Sequence, residues 1–372
     1  MEANSWLHLA DEDQCHRLPD DLRARDPFLA RDCGWVEQMR PLIRSLSAPG
    51  DRVLDPFCGF GTSLVAASLE GRVALGIEVL PERAQIARER LARLGFPAEG
   101  VLTGGACQRL AELHDVDLIV TSLPYFGCAF DAGSDHSAQV YGARTYAEYL
   151  EQMRQLFAAF KPVLRSGAHV VAAIQNVELG PHLVPQAWDI ARLLAERFTL
   201  REERMLVYDR PLRIDRAASR ANRAHEYVLV AVNEAQPVDL DDSLLCVTEL
   251  AREHGTCVVV GSFARWLRAP DPAHLPSDVD LLVPADLGAL GRRCAWLEQQ
   301  GFRIERWGAP VSSPALGAAA AGSHYIRARR LRADGRLCQI DLCFAEGDQA
   351  FAAALAGSES LAGLRVALGT AE

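Results

Sequence analysis

The chain has 372 residues, of which 49% are apolar and 24% charged, and its formal net charge is −10. That length carries two domains with separate cores, and no apolar run reaches the roughly 18 residues a membrane span requires. The acidic balance disfavours general attachment to a phosphate backbone unless a local basic surface exists. The start, MEANSWLHLADEDQ, lacks a basic segment followed by an apolar stretch, which argues against a secretory signal. Ten cysteines are scattered without a C-x-x-C pair. This reads as buried, reduced thiols of a cytoplasmic protein, and not as a zinc site or disulfide framework.

Residues 1–25 are acidic and weakly patterned, and are expected to form a loosely attached N-terminal arm. WVEQMRPLIRSLS (35–47) has helical spacing and is closed by Ala48, Pro49 and Gly50. Strand and helix then alternate. RVLD (52–55) is a strand, a glycine turn follows, and TSLVAASLEG is a helix. VALGIE (73–78) is the next strand, and the helix after it has Pro81 in its first turn and Gly95 at its end. VDLIVTS (116–122), AHVVAAIQN (168–176) and HEYVLVAVN (225–233) are further apolar strands, with helical stretches near 144–162 and 183–197. This α/β alternation predicts a parallel or mostly parallel sheet covered by helices on both faces, with ligands at the carboxyl ends of its strands.

An acidic, polar stretch at 234–243 reads as a linker, giving a first domain over 26–235 and a second over 243–372. The second alternates again: a helix at SLLCVTELAREHG, strands at CVVVGS and DVDLLVP, a helix at LGALGRRCAWLEQQG and a strand at FRIERW. A hairpin turning at Ala333, Asp334 and Gly335 follows, and residues 310–322 read as a flexible loop.

The first candidate site is D-P-F-C-G-F-G-T at 55–62, between a strand and a helix. Gly59 and Gly61 let the backbone turn tightly and approach a ligand, and the next helix offers free N–H groups toward it. Glu78 ends the following strand, where a carboxylate can bond ribose hydroxyls. An adenosine-containing cofactor fits. Leu64 stands where a dinucleotide turn has its third glycine, which disfavours a dinucleotide.

With VDLIVTSLPYF (116–126) added, the chain over roughly 25–235 resembles the amino-methylating DNA methyltransferases. In that family the cofactor motif reads close to D-P-F-x-G-S-G-T and the catalytic motif S/N/D-P-P-Y. The resemblance implies a Rossmann-like domain that binds S-adenosylmethionine through Asp55, Pro56, Phe57, Gly59, Gly61, Thr62 and Glu78. It assigns the catalytic motif to Ser122, Leu123, Pro124 and Tyr125. The Ser122 side chain and Leu123 carbonyl would accept the N–H groups of an exocyclic base amine, and Tyr125 would stack on the extruded base.

Two positions depart from the family pattern. Leu123 replaces the first proline, and Gly105 stands where an acidic residue near the adenine is expected. A serine at the first motif position is commoner in cytosine-type than in adenine-type members. DNA is therefore the implied partner, cytosine ahead of adenine, although no segment is long enough for a large recognition domain. Arg210, Arg213, Arg216, Arg220 and Arg223 could grip phosphates or form a solvated loop paired to local acids, and the loop 126–143 could close over the target.

In the second domain, GSFARWL (261–267), SDVDLLV (277–283) and CQIDLCF resemble the nucleotidyltransferase fold shared with DNA polymerase β and small antibiotic-modifying enzymes. The resemblance implies phosphate contacts at Gly261 and Ser262. It also implies Mg2+ at Asp278, Asp280 and Asp341, with a nucleoside triphosphate as ligand. Asp278 and Asp280, two apart on a strand, face the same way. Arg327, Arg329 and Arg330 could bind nucleotide or line the hairpin. Two other readings stay open. One is a tailoring enzyme that methylates an amine on a small molecule or peptide and nucleotidylates it. The other is a C-terminal domain that binds a partner in a toxin–antitoxin or phage-defence assembly.

Overall fold

A computed structural model describes residues 4–27, 29–30, 32–127, 143–179, 181–209, 224–234, 236, 238–306, 309–311, 325–332 and 336–368. The chain divides into two units, Met1–Glu234 and Ala235–Glu372. Among the described residues no helix is long and apolar enough to cross a membrane.

The first unit runs β1 (Trp6–Leu9), α1 (Asp20–Arg23), α2 (Val36–Leu46), β2 (Arg52–Asp55), α3 (Thr62–Leu69), β3 (Val73–Glu78) and α4 (Pro81–Arg93). It continues through β4 (Val101–Thr103), α5 (Ala106–Leu110), β5 (Val116–Ser122), α6 (Tyr146–Phe160) and β6 (Leu164–Ile174). Its last elements are β7 (Val177–Leu179), β8 (His182–Val184), α7 (Gln186–Ala195), β9 (Thr199–Tyr208) and β10 (His225–Val232). Eight strands form one sheet in the order β1-β9-β10-β6-β5-β2-β3-β4, while β7 and β8 pair separately. Strands β2 to β6 run parallel, and β10 is antiparallel to both β6 and β9.

Burial on both faces explains the near-continuous apolar strands. Along β5, Ile119 joins the core beneath α6 and α7, while Leu118 and Val120 join the core beneath α2, α3 and α4. The chain leaves β2 toward β3 on one side and reaches β5 on the other, so a crevice opens at the carboxyl ends of β2 and β5. The sequence pattern did not announce β9. Only Leu206 and Tyr208 are buried along TLREERMLVY, too sparse a pattern to read as a strand.

The N-terminal segment is not a loose arm. Strand β1 extends the sheet by pairing Trp6–Leu9 in parallel with Met205–Tyr208. Leu18 and Leu22 are fully buried against Phe60 and Ile86. These few apolar residues lie too far apart to show a period, and only the surface waiting for them makes them core.

The second unit runs α8 (Leu240–His254), β11 (Val258–Val260), α9 (Gly261–Arg268), β12 (Val279–Val283), α10 (Leu287–Gln299) and β13 (Arg303–Arg306). It continues through β14 (Ala309–Pro310), β15 (Tyr325–Leu331), β16 (Leu337–Phe344), α11 (Asp348–Ala356), β17 (Ser358–Leu361) and β18 (Leu364–Ala367). Its eight-stranded sheet has the order β14-β13-β15-β16-β12-β11-β18-β17. Helix α8 begins before residue 243, because Asp239 caps it by accepting from Asp242 N at 3.1 Å and Val238 is already core. Residues 312–322 and the turn Ala333, Asp334 and Gly335 lie outside the described residues.

Candidate active site

In the first unit the strand β2 ends on Asp55, which is 5% exposed. Its carboxylate accepts from Ser63 Oγ, from Thr121 Oγ1 at 2.6 Å and from Phe57 N at 2.9 Å. Burial raises its pKa, against the pull of these donors. The turn that follows needs left-handed backbone at Gly59 (φ 50°) and Gly61 (φ 77°). The two glycines differ in surroundings. A Cβ at Gly61 would stand 3.2 Å from Ala87 Cβ, where α3 and α4 pack, whereas among the described residues a Cβ at Gly59 would meet nothing within 4 Å.

Glu78 ends the neighbouring strand and folds back under the same turn. Its carboxylate accepts from Gly59 N at 3.1 Å and Leu80 N at 2.8 Å, and burial raises its pKa. Pro56 is buried and Phe57 packs against the core under α6 and α7. The Thr62 hydroxyl is engaged by protein partners: it donates to Gly34 O at 3.2 Å and accepts from Arg90 Nη1 at 2.9 Å. Gly105 caps α5, so no carboxylate stands at that position of the β4 end.

Ser122 ends β5 with its side chain exposed, one residue beyond the Thr121 that bonds Asp55. The next four residues are pinned individually. Leu123 N donates to Ala173 O at 2.9 Å, and the Pro124 carbonyl accepts from Tyr149 Oη at 2.9 Å. Tyr125 Oη donates to Glu226 Oε1 at 3.2 Å, and Phe126 N donates to Gln186 Oε1 at 2.9 Å. The Leu123 side chain is buried in the core. Where the sequence has leucine in place of a stiffening proline, tertiary contacts hold the turn. Burial, reinforced by the Glu226 carboxylate, raises the Tyr125 phenol well above its ordinary range.

Sequence reasoning passed over Glu226, Gln38, Gln175 and Tyr208, which gather behind the motif. The available signal was a carboxylate at the head of the apolar run EYVLVAV. The arginines at 210, 213, 216, 220 and 223, and residues 128–142 of the expected closing loop, lie outside the described residues.

In the second unit, Asp278, Asp280 and Asp341 offer carboxylate oxygens that all lie within 4.8 Å of one another. Strands β12 and β16 run parallel with Asp280 opposite Asp341, and Gly261 begins α9 against the Asp280 side chain. The Asp280 carboxyl is pushed up to about 6 by burial and by its two acidic neighbours. Arg327 forks onto Asp341, with Nε–Oδ1 at 2.8 Å and Nη2–Oδ2 at 2.6 Å, and its Nη2 lies 3.5 Å from Asp278 Oδ2. Arg330 bonds Asp242 at 2.5 Å and the Gln300 carbonyl at 2.8 Å, so its guanidinium serves the fold.

Residues 36–89 match a family described as DNA methylase, a segment that carries the glycine turn and Glu78. The chain is 32% identical over 154 residues to a tRNA (guanine(10)-N2)-dimethyltransferase of Methanothermobacter thermautotrophicus, covering 41% of this chain and 38% of that protein. It is 49% identical over 56 residues to the type II methyltransferase M.Cfr9I of Citrobacter freundii, covering 15% of this chain and 19% of that protein. The chain thus spans well under half the length of these curated relatives. Among solved structures, a precorrin 8W decarboxylase of Methanobacterium thermoautotrophicum aligns with a TM-score of 0.39 and 20% identity, over 58% of this chain and 99% of that one.

Proposed function

We propose that the first unit transfers a methyl group from S-adenosylmethionine to an exocyclic amine of a nucleobase. One observation carries the reading. The Thr121–Asp55 hydrogen bond of 2.6 Å joins the glycine turn to the strand that presents Ser122. The two motifs therefore meet at one sheet edge. The match of residues 36–89 to a DNA methylase family supports the same class.

The residues present fit the cofactor. Among the described residues space is open over Gly59, and each Glu78 oxygen keeps a lone pair beyond its bond to Gly59 N or Leu80 N. Asp55, Pro56, Phe57, Gly61 and Thr62 shape that turn, with Asp55 bonded to both flanking elements. When bound, S-adenosylmethionine supplies an electrophilic methyl on a sulfonium. The Ser122 hydroxyl and the Leu123 carbonyl accept the amine N–H groups and draw its lone pair out of conjugation. Pro124 fixes the direction of the turn and the Tyr125 ring stacks on the base. With its phenol raised, Tyr125 stays protonated and does not act as a base. The proton released by the methylated amine passes to solvent at the exposed Ser122 end of β5 as the thioether departs. Positioning and fixed dipoles supply the rate.

DNA is the proposed substrate, with cytosine ahead of adenine because Ser122 opens the motif. Labelled S-adenosylmethionine offered with separate DNA, RNA and small-molecule pools tests this. Label in DNA that disappears in Ser122→Ala supports it. Label in RNA alone moves the substrate to an RNA base such as the guanine amine of the tRNA-modifying relative. Label confined to small molecules replaces it with the tailoring-enzyme reading. A reducing, cytoplasmic setting belongs to the proposal, on the ten cysteines scattered without a C-x-x-C pair.

For the second unit the clustering of three carboxylates favours a nucleotidyltransferase-like site. Asp278, Asp280 and Asp341 would hold Mg2+, which would bind and orient a triphosphate, with Gly261 and Ser262 against its phosphates. Magnesium-dependent ATP binding that is lost in Asp278→Asn supports this. An absence of nucleotide binding leaves the unit as a partner-binding module.

A further inference from the structure

Glu226 is a buried carboxylate, 8% exposed, on β10, a strand that carries no motif residue. Among the described residues, four side chains from different parts of the first unit donate to it. Tyr125 Oη reaches Oε1 at 3.2 Å and Gln175 Nε2 reaches the same oxygen at 3.1 Å. Tyr208 Oη reaches Oε2 at 2.9 Å, and Gln38 Nε2 lies 3.5 Å from it. Gln38 also bonds the Tyr208 hydroxyl, and its Oε1 accepts from Trp35 N at 2.5 Å. The Trp35 ring stands edge-on to Tyr208 with centroids 5.7 Å apart.

We infer that Glu226 is a positioning residue that fixes the Tyr125 ring at the mouth of the crevice, in place of the stiffness that a proline at position 123 would give. The inference rests on the methyltransferase reading of Ser122–Tyr125. A stacking ring helps only when its plane is held before the base arrives, since a ring that swings must be ordered during binding. Tyr125 follows two residues after Leu123, whose backbone torsion no ring restrains. A charged acceptor makes a stronger anchor than a neutral one, and Glu226 takes that anchor from β10, a central strand of the sheet. Gln38 and Tyr208 orient the other carboxylate oxygen, and Gln175 reinforces the first. The same contact keeps the Tyr125 hydroxyl a donor to Glu226, and the Ser122 side chain meets that hydroxyl as well.

The test uses the full chain with 3-fluorotyrosine placed at position 125 and read by fluorine NMR, with and without S-adenosylhomocysteine. A single narrow line is expected, broadened at least twofold in Glu226→Gln while the S-adenosylhomocysteine dissociation constant stays within twofold. In the transfer assay Tyr125→Phe keeps the ring and removes the hydroxyl that bonds Glu226 and meets the Ser122 side chain, so the double variant with Glu226→Gln separates the two contacts. Turnover of Tyr125→Phe is expected to fall about tenfold, and Glu226→Gln combined with Tyr125→Phe should be no slower than either alone. If Glu226→Gln fails to fold, Gln175→Ala, which removes one donor to the same oxygen, is read in its place. An unchanged fluorine line in the Glu226 or Gln175 variant overturns the inference, as does wild-type turnover in Tyr125→Phe. A responsive line in a chain that labels no nucleic acid overturns the proposed substrate and leaves the anchor standing.

Discussion

Replacing Gly59 and Gly61 separately by alanine divides the work of the turn between ligand room and packing. Both positions have positive φ, 50° and 77°, where an alanine side chain meets the carbonyl and costs about 1–2 kcal/mol. At Gly61 the added Cβ also stands 3.2 Å from Ala87 Cβ and 3.5 Å from Ala87 Cα, so α3 and α4 must part slightly. Overpacking of this kind adds about 1 kcal/mol or more, for a total of roughly 2–3 kcal/mol. At Gly59 no described residue stands within 4 Å of the added Cβ, and strain is the structural cost counted. Gly59→Ala should therefore lose only about 1–2 kcal/mol in urea unfolding of the first unit. Its Cβ projects into the room proposed for S-adenosylmethionine, and calorimetric affinity should drop at least tenfold, about 1.4 kcal/mol. Gly61→Ala should show the reverse order: the larger stability loss and the smaller loss of affinity per unit of unfolding energy. Wild-type cofactor affinity in a folded Gly59→Ala chain would refute the placement of the ligand over that turn.

Glu70 sits against Arg44 at 2.6 Å and Arg40 at 2.5 Å, and the Arg44 bond leads in holding its carboxyl down to about 2. A depressed folded pKa gives stability that is present above the ordinary carboxylate range and lost as pH falls toward 2. Both arginines are partly exposed, so after screening the contribution is about 1 kcal/mol. Glu70→Gln should lower the melting temperature at pH 7 and converge with wild type near pH 2, and an equal gap at both pH values would count against the ion pair. Thr121→Val should cost roughly 1–3 kcal/mol in urea unfolding, because buried Asp55 loses one of its donors. A neutral result there would mean that Asp55 is satisfied without β5. In the second unit, Arg327→Gln removes the guanidinium from Asp341 and should tighten Mn2+ binding, read by paramagnetic resonance, by about tenfold, or 1.4 kcal/mol. Weaker binding would show that Arg327 supports a cation site instead of competing with it.

The local chemistry of both sites was legible in the sequence. Apolar runs broken by glycine and proline marked β2, β3 and β5, and D-P-F-C-G-F-G-T could only be a tight turn between strand and helix. Asp278 and Asp280, two apart, had to share a face, whatever lay beside them. Each of these signals acts within a few residues, where backbone sterics and side-chain period dominate. β1 and β9 escaped because their strand character comes from the edge they complete and not from their own residues. Helix α9 escaped because GSFARWLR is short, and its opening glycine reads as a turn.

The amino-acid order by itself determined the turn at Gly59 and Gly61, the exposed end of β5 at Ser122 and the alternating pattern that builds a two-faced sheet. Tertiary structure alone decided that Asp55 bonds Thr121, that Arg327 covers Asp341, and that Glu226 holds Tyr125 from a strand distant in sequence. The physical reason is range. Torsional preference and periodicity are properties of neighbouring residues, whereas a buried carboxylate takes its donors from whichever strands the folded sheet sets beside it.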